Sequence, residues 1–358
     1  MIIAGVRQRR TALRGCRSHA HPQAVVAAGR PASLRSARAA RTTRRAHTSS
    51  GSIAGAPSRS RSVVRMSSQP NLADIQELLA TCPGCGGADL VEESDRNDIY
   101  SCNTCGLIFT NPRPSEQFVQ QNYCEGGYYA NFKPDDNWLG MWRRRIARVT
   151  RCVPGGGRVL DVSAGIGTGL MLLREQGYEI HGSELSTEAI GRAKSLYGID
   201  LTRGYIEDLT FPPAHFDAIT LWHVFEHLPY PARSLPRLVE MLKPGGHLII
   251  AVPNNSQGRL ALRPGKWSLS RARRLEALVD PVPYEQTFSE IHMIHFTPAS
   301  LRHILENAGL EVREMSHDNI SLRPSRGKDL KYAIRNLGAR YLGIFMHKAL
   351  FVCARKPS

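Results

Sequence analysis

The first 65 residues contain no acidic residue and no lysine; the first carboxylate in the chain is Asp74. All 14 basic residues of that stretch are arginines, scattered among Ala and Ser. It also lacks the continuous apolar core of a secretory signal. An acid-free, arginine-rich start is the composition of an organelle transit segment. We therefore read residues 1–65 as a disordered transit segment, processed near Val64–Ser68, with the plastid placed slightly ahead of the mitochondrion. The competing reading is a basic arm that binds nucleic acid.

Other absences narrow the class further. Removing those arginines leaves 33 basic against 31 acidic residues, so the body carries a net charge of only +2 out of the chain's +16. Phosphate binding needs a basic surface, so a near-neutral body weighs against a nucleic-acid partner. No apolar run approaches the roughly 20 residues of a membrane span. Nor do the eight cysteines form a disulfide framework, because four of them stand in two close pairs. A chain of 358 residues has room for one large domain or for two to three modest ones.

The paired cysteines read Cys82-Pro-Gly-Cys85 and Cys102-Asn-Thr-Cys105, with sixteen residues between the pairs. Four thiolates at that spacing can close a tetrahedral zinc site with no open position, which makes the metal structural. Gly86 and Gly106 let each knuckle turn tightly, so that amides can face the sulfurs. Residues 78–112 are thus expected to form a zinc ribbon that ends at Asn111-Pro-Arg-Pro. Residues 113–150 read as a helical linker or lid broken at Gly126-Gly127. Arg143, Arg144 and Arg145 in that helix are expected mainly on a solvated face.

Beyond the linker Pro154–Gly157, the apolar run Val159–Val162 leads into Ser163-Ala-Gly165-Ile-Gly167-Thr-Gly169 and then an apolar helical segment. Strand, glycine-rich turn and helix bring a ligand onto bare backbone N–H groups at a helix N-terminus. Strands expected at 158–162, 178–182, 200–203, 216–222 and 246–252 alternate with helices at 167–177, 186–196 and 231–242. That alternation implies an α/β fold with a parallel sheet covered on both faces. A helix at 301–308, a strand at 310–315 and a last strand near Phe351 complete the reading. Glu184 follows Asp161 by 23 residues and ends the second strand. An acid so placed can accept from ribose hydroxyls, and the competing reading is a cap for the helix that begins at Ser186.

Further along stand Gly204-Tyr-Ile-Glu207-Asp208, Trp222-His223-Val-Phe-Glu226-His227, Lys243-Pro-Gly-Gly and His292-Met-Ile-His295-Phe-Thr297. In this order the motifs over residues 80–315 resemble the class I S-adenosylmethionine-dependent methyltransferases. They are similar in particular to the bacterial-type sugar and small-molecule enzymes that carry an N-terminal four-cysteine zinc ribbon. The resemblance implies a Rossmann-like sheet of seven mostly parallel strands, the last antiparallel, over residues 151–358. It implies S-adenosylmethionine as cofactor. Asp161, Ser163, Gly165 and Gly167 would hold its amino-acid end, Glu184 its ribose, with Leu185 beside the adenine. Ile206 and Glu207 (or Asp208) would edge the adenine, and Trp222 and His223 would close the fourth strand. Two positions depart from the family pattern: Ser163 replaces the usual first glycine, and Tyr205 replaces the acid two residues before Glu207.

Methyl transfer is an in-line displacement in which a protein mostly orients the groups and removes a proton. Histidine suits that base. His223 and His295 are the foremost candidates, with His227 and His292 also in reach of the role and Tyr129 able to order the acceptor. Residues 255–295 read as an insertion over the acceptor, with a basic cluster that includes Arg259, Arg263 and Lys266. The expected function is methylation of an oxygen or carbon of a small molecule such as a sugar, quinone or phenol. The rivals are an RNA methyltransferase that uses the ribbon as a grip, and a non-catalytic binding module of the same fold.

Overall fold

The computed structural model describes residues 76–94, 98–115, 132–255, 292–319, 326–343, 345 and 347–358. Residues 1–65, Tyr129 and residues 256–291 of the expected insertion lie outside the described residues.

The chain begins with short strands: β1 (Gln76–Glu77), β2 (Leu90–Ser94), β3 (Ile99–Cys102), β4 (Ile108–Thr110) and β5 (Arg113–Pro114). β2, β3 and β4 form an antiparallel meander, and β1 pairs with β5. Gly86 and Gly106 take φ of 74° and 69° at the two cysteine turns, angles that a Cβ would strain. Each amide there closes back on its pair, Gly86 N–H to the Cys82 carbonyl and Gly106 N–H to the Cys102 carbonyl, both at 2.8 Å.

Helix α1 (Asp136–Cys152) opens on Asp135, whose side chain accepts from the Trp138 amide. Then follow β6 (Arg158–Val162), α2 (Thr168–Glu175), β7 (Glu179–Glu184), α3 (Thr187–Tyr197), β8 (Thr202–Arg203), β9 (Phe216–Trp222), α4 (Pro231–Met241) and β10 (Leu242–Pro253). The chain continues with β11 (Ile294–His295), α5 (Pro298–Asn307), β12 (Glu311–His317), α6 (Arg326–Leu342) and β13 (Ala349–Arg355). The sequence reading anticipated no helix at α6.

Seven strands form the main sheet in the order β12-β13-β10-β9-β6-β7-β8. β13 runs antiparallel to both β10 and β12, and the remaining pairs are parallel. The expected Rossmann-like α/β fold with an antiparallel last strand is therefore present. Alternating strand residues supply its two cores. Leu160, Ile219, Leu248 and Ile250 join one cluster, with Leu235 of α4 and Leu301 of α5. Val159, Ala218, Ile249 and Ala251 join the other, with Ile146 of α1 and Leu170 of α2.

The cysteine-bearing strands share the first core. Cys82, Cys102, Leu107 and Phe109 belong to it. A Cβ on Gly84 would lie 2.7 Å from both Ile304 Cδ1 of α5 and Leu107 Cδ2, so this knuckle and that helix meet at van der Waals distance. β11 supplies a second tie: it adds to β4 as a fourth strand, with Ile294 opposite Phe109 and His295 opposite Ile108. The last two residues of the expected insertion are thus part of the cysteine-bearing sheet. Thr297 then caps α5 in a reciprocal box with Ser300.

Candidate functional site

The glycine loop stands at the carboxyl end of β6, where ligands of open α/β sheets bind. Ser163, Gly165 and Gly167 all have positive φ, at 55°, 55° and 77°. Ser163 therefore keeps the backbone turn of the glycine it replaces, at a cost of roughly 1–2 kcal/mol. A Cβ at Gly167 would meet Ala193 Cβ at 3.3 Å, which brings α3 close beneath the loop. Glu184, at the tip of the neighbouring β7, is 8% exposed. Its Oε2 accepts the Gly165 amide at 2.8 Å, and its Oε1 accepts the amides of Leu185 at 2.7 Å and Ser186 at 3.0 Å. The carboxylate therefore bridges the loop to the strand-helix turn beyond β7. The Ser186 hydroxyl, not Glu184, caps α3 by accepting from the Ala189 amide.

Asp161 lies one layer below. It pairs with Thr220 across β6 and β9, and the Thr220 hydroxyl donates to its Oδ1 at 2.6 Å. Burial dominates its titration and lifts the carboxyl to about 7, against the pull of the Thr220 hydrogen bond and of Arg145. Trp222, at the end of β9, is largely core. Its ring packs between Trp142 of α1 at 6.0 Å and Phe351 of β13 at 6.2 Å. Ile206 is buried in a short 3₁₀ turn, Ile206–Asp208. Glu207 points away toward α4, where the Ser234 hydroxyl donates to its Oε1 at 2.5 Å.

His223 sits just beyond β9 with φ of 57°, a left-handed angle unusual for a side chain of that size. Its amide donates to the Ala251 carbonyl at 2.8 Å, which fixes the turn. The ring lies between two acids, with Nε2 3.4 Å from Asp318 Oδ2 and Nδ1 3.4 Å from Glu226 Oε1. Burial works to lower its pKa, but Asp318 and Glu226 prevail and hold it at about 9. His223 is therefore an imidazolium at neutral pH.

Asp318 in turn is gripped by Arg145 of α1, at 2.6 Å from Nη2 and 3.2 Å from Nε. Burial would raise the Asp318 carboxyl, yet Arg145 and His223 keep it well below the usual carboxylate range. The Arg145 guanidinium also faces the rings of Trp142 and Trp222. One turn on, Arg148 is buried as well, bonded to Glu314 at 2.6 Å and to the His317 carbonyl at 2.6 Å. The expectation of a solvated arginine face fits Arg143 but fails at Arg145, which is 5% exposed. Its acidic partner lies 173 residues away, a pairing that local sequence pattern does not encode. The only sequence signal for these residues is the i, i+3 spacing of Arg145 and Arg148 on an otherwise apolar helix face.

The other histidines divide sharply. His227 and His292 come together, with ring centroids 4.9 Å apart. One ligand atom of each lies within 4.8 Å of the other and of a Glu226 carboxylate oxygen, a spacing that would also admit a divalent cation. Glu226 is fully buried, and neither of its oxygens has a hydrogen-bond partner among the described residues. Burial would raise its pKa, but His223 and His227 lower it. His295 faces elsewhere. It is 3% exposed within β11, and its Nε2 is 3.4 Å from the Thr110 hydroxyl of β4. Burial first, and then the His292 charge, push its pKa down to about 4. The sequence reading put His295 on the acceptor side, whereas strand addition to β4 encloses its ring.

The four cysteine sulfurs lie within 4.8 Å of one another. Cys82 Sγ is 3.6 Å from Cys105 Sγ, and Cys85 Sγ is 3.6 Å from Cys102 Sγ. Thiolates held at about 2.3 Å from one tetrahedral ion would stand about 3.8 Å apart, so the set fits zinc. Amides of Gly84 and Gly87 point at the Cys82 and Cys85 sulfurs, each at 3.4 Å.

Residues 140–315 match the family model described as a methyltransferase domain. A ubiquinone biosynthesis O-methyltransferase of Azoarcus sp. (strain BH72) is 30% identical over 207 residues, covering 54% of this chain and 81% of that protein. A protein of the same description from Xylella fastidiosa (strain 9a5c) is 36% identical over 120 residues, covering 31% of this chain and 48% of the relative. This chain therefore spans about half the length of some of the curated relatives it matches. Among solved structures, magnesium protoporphyrin IX methyltransferase from Synechocystis PCC 6803 aligns with a TM-score of 0.45 at 13% identity, over 68% of this chain and 100% of that one. With its sheet order, glycine loop and strand-tip acid, the chain belongs to the class I S-adenosylmethionine-dependent methyltransferase family.

Proposed function

We propose that this chain binds S-adenosylmethionine and directs its methyl group to an oxygen or carbon of a small-molecule acceptor, a quinol, phenol or sugar. The observation that carries this reading is the Gly165–Glu184 hydrogen bond, which joins the loop and the acid on one edge of the sheet. The cofactor supplies an electrophilic methyl on a sulfonium. Asp161, Ser163, Gly165 and Gly167 hold its amino-acid end. A cationic ammonium there would return the raised Asp161 carboxyl to its ionised form. Glu184 and Leu185 hold the ribose and the adenine beside it. Ile206 edges the adenine; Glu207, engaged by Ser234, is given no direct contact. Trp222 forms the floor.

On the acceptor side, His227 takes the proton from the nucleophile, with His292 beside it and Glu226 behind both. The buried carboxylate stabilises the imidazolium as it forms. His223, already protonated, orients the acceptor and stays charged. Zinc on Cys82, Cys85, Cys102 and Cys105 is structural. It holds the sheet that β11 completes, and so places His292. The relatives named for ubiquinone biosynthesis favour a quinol or phenol among the acceptors. The arginine-rich segment 1–65 is assigned to organelle targeting, with the plastid first.

The direct test supplies methyl-labelled S-adenosylmethionine with a panel of quinols, phenols and sugars. Label should pass to at least one acceptor. Calorimetry that finds no S-adenosylmethionine binding would overturn the reading, and label transfer to RNA would redirect it to the nucleic-acid alternative.

A further inference from the structure

Helix α6 has two different faces. Its inner face is held on the edge strand β12. The Tyr332 hydroxyl donates to the His317 carbonyl at 2.5 Å, Asn336 Oδ1 accepts the His317 amide at 3.0 Å, and Ala339 is 5% exposed. Those three anchors fix what the helix turns outward. Leu330, Ile334, Leu337 and Tyr341 are 63%, 58%, 57% and 72% exposed. Their spacing of four, three and four residues makes one continuous stripe at the helical period. Together with Leu342, they are five of the eight large apolar residues exposed among the described residues. Scattered exposed apolar side chains need no explanation, but a concentrated stripe marks a contact surface.

Charge identifies the occupant. Lys331 and Arg335 flank the stripe on one side and Arg340 on the other, all exposed. Over its whole length, Arg326–Leu342, the helix carries five basic residues and one acid, Asp329. The stripe borders a cavity of about 990 Å³ lined by Leu337, Arg340 and other arginines and also by the carboxylates of Glu314 and Asp318, with Arg302 and Arg313 already paired to Glu306 and Glu311. A second copy of α6 would bring a helix of net charge +4 against its like, which opposes self-pairing through this face. An apolar stripe rimmed by Lys and Arg is instead the form of a helix that lies in a bilayer interface with anionic headgroups.

We propose that α6 docks this protein on the surface of a membrane containing anionic lipid, the apolar stripe resting among the acyl chains and the basic residues of the helix among the headgroups. This does not depend on the methyltransferase reading, because the readout is membrane binding and not turnover.

Flotation of the full chain with phosphatidylcholine vesicles, with and without about a third phosphatidylglycerol, tests it. Binding should require the anionic lipid and weaken as salt rises toward 0.5 M, where screening shortens to a few ångströms. Ile334→Ser with Leu337→Ser should reduce the vesicle partition coefficient at least tenfold, the scale of losing two buried aliphatic side chains. Arg335→Glu alters only an exposed flank and should reduce it severalfold without touching the stripe. Unaltered circular dichroism and thermal melting would show that each variant is folded. Equal binding to both vesicles, or none, overturns the proposal. So does a dimer in sedimentation that the Ile334/Leu337 variant converts to monomer, because the stripe is then a subunit interface.

Discussion

Arg145 and Asp318 stand 173 residues apart in sequence and 2.6 Å apart in space, both buried, with His223 against the same carboxylate oxygen. This pair ties α1, which leads into the glycine loop, to the chain beyond β12, and it sets the charge of the histidine at the end of β9. A buried pair that loses one partner leaves an uncompensated charge, which costs about 3–5 kcal/mol. Arg145→Ala should therefore lower the unfolding free energy by about that amount in urea titration. Arg145→Met with Asp318→Leu should recover much of it. Loss of less than about 1 kcal/mol in the single variant would mean that water reaches the pair.

Glu184 accepts three backbone amides in addition to its proposed place at the ribose. Glu184→Ala should weaken S-adenosylmethionine binding by about 1.5–3 kcal/mol, the scale of a hydrogen bond to a charged group, as read by calorimetry. Glu184→Gln keeps one acceptor oxygen and should lose less. Unchanged affinity in both would confine Glu184 to holding the loop.

The cysteine set should hold about one zinc per chain. Cys102→Ser should release it, measurable by metal analysis, and S-adenosylmethionine binding should persist because the glycine loop lies in the other sheet. Turnover should fall all the same. β11 pairs with β4, so a disordered cysteine-bearing sheet would displace His292. A metal-free wild-type chain with an intact fold would defeat the assignment.

His227 and His295 separate a chemical role from a structural one. His227→Ala should lower turnover by roughly 10²–10⁴-fold with little change in cofactor affinity. His295→Gln should act on stability through pH. The folded pKa of about 4 lies below the unfolded value of 6.5, so the unfolded chain binds the proton more tightly. That contribution to stability is complete above pH 6.5 and is lost as pH falls toward 4, for a total of about 3 kcal/mol. Stability curves of wild type and His295→Gln should therefore diverge across that window. Parallel curves, with turnover lost in His295→Gln, would return the base to His295.

Much of the fold was legible in the sequence because its determinants are local. The apolar run Val159–Val162, the turn Ser163–Gly167 and the repeat of strand and helix read directly as a parallel sheet, and the paired cysteines read directly as one cluster. The cap of α3 at Ser186 and the box at Thr297 follow from residue type and position. The stripe of Leu330, Ile334, Leu337 and Tyr341 gives α6 a helical period, but only the fold shows that this period faces outward.

The active-site assignments depended on what tertiary packing alone decides. Chain order marks His223, His227, His292 and His295 as candidates but does not say which rings meet. Pairing of β11 with β4 buries His295, and the turn at Phe225–His227 sets His227 against His292 over Glu226. Arg145 reads as a surface residue until Asp318 arrives from the other end of the chain. The sequence by itself determined the sheet, the glycine loop, the strand-tip acid and the cysteine quartet, each written in residues a few positions apart. Only the tertiary structure decided which histidine stays charged and which is sealed from solvent, because burial and partner charges set those properties and both come from segments remote in the chain.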